Sequence, residues 1–151
     1  MTSRRFQFKL EPVRALRERA ELNAMKELAD ELAREAALRA EAEAAAGRLA
    51  AARTAPQTVA SGPELRAQQM FMERREREVQ VAHEQVGLQE QQVELRRADL
   101  EVASRDREVL ERLKDRRRTE HETATARAEQ AHVAELSLAR YRPPALGGGA
   151  A

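Results

Sequence analysis

The sequence has no cysteine and no tryptophan, a single tyrosine and three phenylalanines among 151 residues. Without cysteine there can be no disulfide framework, no thiolate-ligated zinc and no thiol nucleophile. With aromatics at 3%, the chain lacks the side chains that normally dominate a buried globular core. No apolar run approaches the ~18 residues needed to span a membrane. Arg4 and Arg5 near the start are followed by no apolar stretch, so a secretory signal is not expected and the chain reads as cytoplasmic. Charge of one sign is not in excess either. The 27 basic and 26 acidic residues leave a formal net charge of +1, which argues against a dedicated nucleic-acid binder. What is abundant is charge of both signs, 35% of the chain, interspersed with alanine and leucine. That is the composition of a long helix or coiled coil.

Punctuation is sparse. Pro12 stands early, a cluster lies between Thr54 and Pro63, and the stretch from Pro143 to Gly149 cannot be helical. Between them lie two proline-free segments, which predict a helix over 12–53, a turn over 54–63, a helix over 64–140 and a disordered tail over 143–151. Pro12 fits a first helical turn, where its missing N–H would have no partner anyway. Ser61, Pro63 and Glu64 read as the start of the second helix. At 1.5 Å per residue the two helices would be roughly 60 and 115 Å long, which has no globular solution.

The second helix carries the strongest pattern. Leu65, Met72, Val79, Val86, Val93 and Leu100 recur every seventh residue. Three residues on, a companion column runs through Arg75, Ala82, Gln89, Arg96, Ala103 and Leu110 to Leu138. A sustained seven-residue repeat means a left-handed coiled coil. The apolar content moves from the first column to the second after about residue 100, so the seam is expected to migrate there. The first helix is alanine-rich, with leucines that fit no single heptad register throughout.

The short connection returns the chain antiparallel. The fold class expected is therefore all-α: a long two-helix antiparallel coiled-coil hairpin with an overhanging second helix. A tip near residue 59 would place Pro12 beside Asp106 and leave an overhang of about 34 residues, roughly 50 Å. Leu10, Val13 and Leu16 would then face α-helical residues around 100–110. A further seven-spaced series, Val81, Leu88, Leu95, Val102 and Val109, lies two residues beyond the main column. It admits two readings: a local thickening of the seam, or a second face for another protein.

A search for chemistry yields little. Of the three histidines, His121 and His132 are too far apart along a helix to share a metal, and no phosphate-binding loop or nucleophile elbow occurs. A two-helix hairpin offers no dry concave pocket. No enzyme activity, catalytic residue, cofactor or metal is expected. The basic run Arg112, Lys114, Arg116, Arg117 and Arg118 has no aromatic neighbours for nucleic acid to stack on. It reads either as a solvated face or as a contact with an acidic protein.

The opening Phe6-Gln7-Phe8-Lys9-Leu10-Glu11-Pro12-Val13-Arg14-Ala15-Leu16-Arg17-Glu18 resembles the start of the FliJ family of flagellar export proteins. Gln68-Gln69-Met70-Phe71 at the second helix and Leu110-Glu111-Arg112-Leu113-Lys114 are similar to later family features, and Glu135 supplies half of a further acidic pair. The resemblance implies a two-helix antiparallel coiled coil that acts as a non-enzymatic, membrane-peripheral component of the flagellar type III export apparatus. It implies a central stalk of a hexameric export ATPase, with a membrane export-gate protein and export chaperones as further partners. It further implies a gate-binding patch at Gln69, Phe71, Met72, Val79 and His83. A generic coiled-coil spacer or scaffold, or an injectisome stalk, remains the alternative on residue pattern alone.

Overall fold

The computed structural model describes residues 5–56 and 61–141. They form two helices, α1 (Glu11–Thr54) and α2 (Gly62–Arg140), packed antiparallel, with no strand among the described residues. The expected tip near residue 59 and the tail over 143–151 lie outside the described residues.

Each helix begins where its sequence allows. Pro12 sits in the first turn of α1, and Glu11 beside it favourably meets the positive end of the helix dipole. At α2, the Ser61 N–H and hydroxyl both donate to Glu64 Oε2, at 2.7 and 2.9 Å. That is the reach-back half of a capping box, and these bonds hold the Glu64 carboxyl below its ordinary pKa. The interiors are dominated by Ala, Glu, Leu, Arg and Gln, all good helix formers.

The chain divides into two compact units, residues 15–107 and residues 1–14 with 108–151. In the larger unit α1 does keep one register, contrary to expectation. Its inward residues alternate by three and four: Glu21, Ala24, Leu28, Glu31, Glu35, Leu38, Ala42, Ala45, Leu49 and Ala52 are all buried or half-buried. The repeat is hidden in the sequence because three of those positions are glutamates. Opposite them stand Met72, Val79, Val86, Val93 and Leu100 with Arg75, Ala82, Gln89, Arg96 and Ala103.

The apolar heart of the seam is short. Ala42, Ala45 and Ala82 pack together with Val79 and Val86, and Val93 is 2% exposed. Alanine lets the helix axes approach closely but buries little area, whereas a buried Val or Leu contributes about 1.5–3 kcal/mol. Toward residue 107 the seam turns polar. Arg107 donates to Glu21, and Gln89 Nε2 donates to the Glu31 carboxylate at 2.6 Å and to its carbonyl at 3.1 Å. Ion pairs Arg17–Asp106, Glu27–Arg96, Arg39–Glu90 and Arg53–Glu76 line the flanks, each at 2.9 Å. Among the described residues no buried side-chain polar atom lacks a partner, which is what keeps a polar seam from being prohibitive.

In the other unit, the Arg14 side chain bonds both Glu11 and Glu111, and Lys114 Nζ pairs with Glu11 at 2.9 Å. Phe6 lies 5.7 Å from the His121 ring, tilted by 59°. Arg107, Lys114 and His121 extend the Met72–Leu100 column at sevens and are half-buried. The half-buried positions therefore stay on the first column, where Arg107 meets Glu21, Lys114 meets Glu11 and His121 meets Phe6. Two further expectations fail. Glu11 sits at Lys114, so Pro12 lies about seven residues farther along α2 than Asp106. Leu10, Val13 and Leu16 are exposed, and charged Glu11, Arg14, Arg17 and Glu21 make the contact instead. The cause is the same in both cases: ion-pair matching, not leucine content, sets the pairing.

Glu11, Glu21 and Glu31 are held below the ordinary carboxylate pKa, chiefly by hydrogen bonds from Arg14, Ser104 and Gln89 respectively. A carboxyl whose folded pKa is depressed adds stability above its unfolded pKa and loses it as the pH falls through the folded value. The melting temperature should therefore hold above the ordinary carboxylate pKa near 4 and fall on further acidification. Glu21→Gln should flatten part of that fall, as thermal melts followed by circular dichroism across pH would show.

Candidate functional site

The residues named for partner contact fall in two regions. In the larger unit, α2 starts with a run of exposed side chains, from Gly62 to Phe71. Leu65 and Met70 stand in solvent there, and Phe71 is 44% exposed with the Arg75 guanidinium 5.0 Å from its ring centroid. Stacking of this kind shields one face of the ring without burying it.

Gln69, Phe71, Met72, Val79 and His83 do not share one face. Met72 and Val79 point into the seam, with Val79 against the Ala42–Ala45–Ala82 cluster. Gln69 and His83 lie on one flank, where Gln69 donates to Glu73 and His83 Nδ1 meets the Val79 carbonyl at 2.8 Å. Phe71 stands on the opposite flank. On that side a shallow groove of about 620 Å³ is lined by Ala45, Val81 and Ala82, by Arg48, Arg74, Arg75 and Arg77, and by Glu41, Glu78 and Gln85. In the sequence these arginines are scattered between two helices, and they become neighbours only when the helices pair.

In the other unit the basic run separates into two parts. Lys114 is half-buried against Glu11 and is not part of an open patch. Arg112 reaches Glu108 at 3.5 Å and Arg117 reaches Glu120 at 3.0 Å. Together with Arg116 and Arg118 they are exposed. Leu110 and Leu113 are half-buried. From Ala126 to Arg140 every side chain is exposed, including Val133, Leu136 and Leu138.

The series Val81, Leu88, Leu95 and Val102 is not seam: Val81 is 50% exposed and Leu88 62%. Val109, in the other unit, is exposed as well. Of the two readings, thickening of the seam is therefore ruled out, and an outward apolar row is what the structure contains.

Taken together, the described residues form a protein of two paired helices, with exposed apolar and basic side chains along the helix faces. The chain belongs to the FliJ family: the family model for the flagellar FliJ protein matches residues 6–145. That family is a component of the flagellar export apparatus. No curated protein and no solved structure is significantly similar to the chain. No helix among the described residues is long and apolar enough to cross a membrane.

Phe71→Ala should leave helicity and melting temperature nearly unchanged, because the residue is 44% exposed and the Arg75 guanidinium lies over its ring. Met72→Ala, at a half-buried seam position, should lower the melting temperature. Melting curves of the two variants side by side check this; a comparable loss for Phe71→Ala would make it a core residue.

Proposed function

We propose that the chain acts without catalysis, as the central stalk of a hexameric export ATPase at the inner face of the cell membrane. The observation that carries this reading is the stretch of α2 from Ala126 to Arg140, whose side chains are all exposed. The two seam columns continue into it through Ala128, Ala131 and Leu138. A single helix of this length is marginal in water, since packing supplies most helical stability. A ring of subunits closing on it would provide that packing. Exposed Arg112, Arg116, Arg117 and Arg118 lie just before it and suit steering toward an acidic ring surface.

The opposite end of α2 supports a second contact. Gln69 and His83 on one flank of α2 and Phe71 on the other offer exposed groups for the export-gate protein, while Met72 and Val79 are half-buried in the seam. Export chaperones have an outward apolar row available at Val81, Leu88, Leu95 and Val102.

Removal of residues 126–151 should abolish capture of the full chain's export ATPase in a pull-down and leave the helical signal of the remaining residues intact. Retention of ATPase binding by the truncated chain, with circular dichroism unchanged, would refute the stalk-end assignment. Association of the full chain should weaken as salt is raised.

A further inference from the structure

The segment before α1 lies along α2 without being helical. Residues 5–8 have no regular structure, and residues 9–10 form a turn that closes where the Glu11 N–H donates to the Phe8 carbonyl at 3.1 Å. Its helical end is pinned: Glu11 pairs with Lys114 Nζ at 2.9 Å, and Arg14 with Glu111 at 2.8 Å. At its other end Phe6 meets the His121 ring, and Phe6, Phe8 and His121 are all half-buried. Lys114 and His121 are successive members of one seven-spaced column, roughly 10 Å apart along the helix. All of this lies within one compact unit.

Little holds the segment down. Among the described residues, no side chain from 5 to 10 makes a hydrogen bond or an ion pair. Two partly buried phenylalanine rings are what remains, and apolar stabilisation scales with the area removed from water. Such contact is non-directional, so another apolar surface can take its place. The segment also ends where the bare part of α2 begins: His121 and Thr125 are half-buried, and every side chain from Ala126 to Arg140 is exposed.

That bare part is shorter than a ring is thick. A ring one small domain deep, about 30 Å, would engage about 20 residues of helix. Counted back from Arg140, such a contact reaches His121, the residue on which Phe6 sits. His121 and Ala128 belong to the same column, so a ring that follows the column meets the segment head-on. Building on the stalk assignment, we propose that residues 5–10 are a displaceable strap. In the free chain they close the column at His121, and the export ATPase has to push them off to seat fully.

The test uses the full chain. It has no tryptophan of its own, so Phe6→Trp places a single emission probe on the strap, with circular dichroism to check that helicity is kept. Titration with the export ATPase of the same organism should shift that emission to the red as the indole leaves α2, while co-sedimentation reports binding separately. A strap docked in most free chains lowers the apparent affinity by the fraction left open, so Phe6→Ala should bind the ATPase about fivefold more tightly than wild type. Emission that stays unchanged with the ATPase bound, or a Phe6→Ala chain that binds no more tightly than wild type, would overturn the strap. Failure of both wild type and Phe6→Ala to bind would instead bring down the stalk assignment, and the strap's role with it.

Discussion

Two helices share a seam only if each group turned inward finds something that compensates its loss of water, and here much of what turns inward is charged. Glu21, Glu31 and Glu35 occupy seam columns of α1 that an ordinary coiled coil fills with leucine. Each is tolerable because an arginine or glutamine stands beside or across from it: Arg107 at Glu21, Gln89 at Glu31, Arg39 at Glu35. Everything else about the fold follows from that matching, because it fixes which residue of α1 lies beside which residue of α2. A shift of one position would strand several partly buried carboxylates at once, and an unpaired buried charge costs far more than a lost surface ion pair.

The same arrangement divides the labour along the larger unit. Around Ala42, Ala45, Ala82, Val86 and Val93 the helices are held by close apolar packing. Toward Arg107 they are held by hydrogen bonds and ion pairs with long, partly solvated side chains. The first kind of contact is non-directional and forgiving in register, the second directional and demanding. An alanine-rich segment that permits close approach, beside a polar segment that permits only one alignment, gives a pairing that is specific without being strongly apolar.

What the seam does not consume is left for partners. Outward rows remain on both helices of the larger unit, at Leu22, Met25 and Leu32 on α1 and at Val81, Leu88, Leu95 and Val102 on α2. The first turns of α2 are uncovered, with Phe71 shielded on one face by Arg75. The chain belongs to a family of the flagellar export apparatus, and these exposed rows are the surface that the seam leaves uncovered.

Much of this could be read without coordinates. Two helices, their antiparallel pairing and the column from Met72 to Leu100 are visible as proline-free stretches and an apolar seven-residue repeat, both properties of neighbouring residues in one segment. The family could be read from the block beginning at Phe6. The register of α1 could not. Its glutamates at 21, 31 and 35 look like solvent positions until Arg107 and Gln89 are placed beside two of them. For the same reason Leu16 looked inward and Lys114 looked free, and the arginines around the groove beside Val81 did not look like neighbours. Local periodicity is written into each segment by the turn of the helix. Whether a charged residue belongs inside depends on what lies across from it, and that partner is far away in the chain and near only in the folded protein.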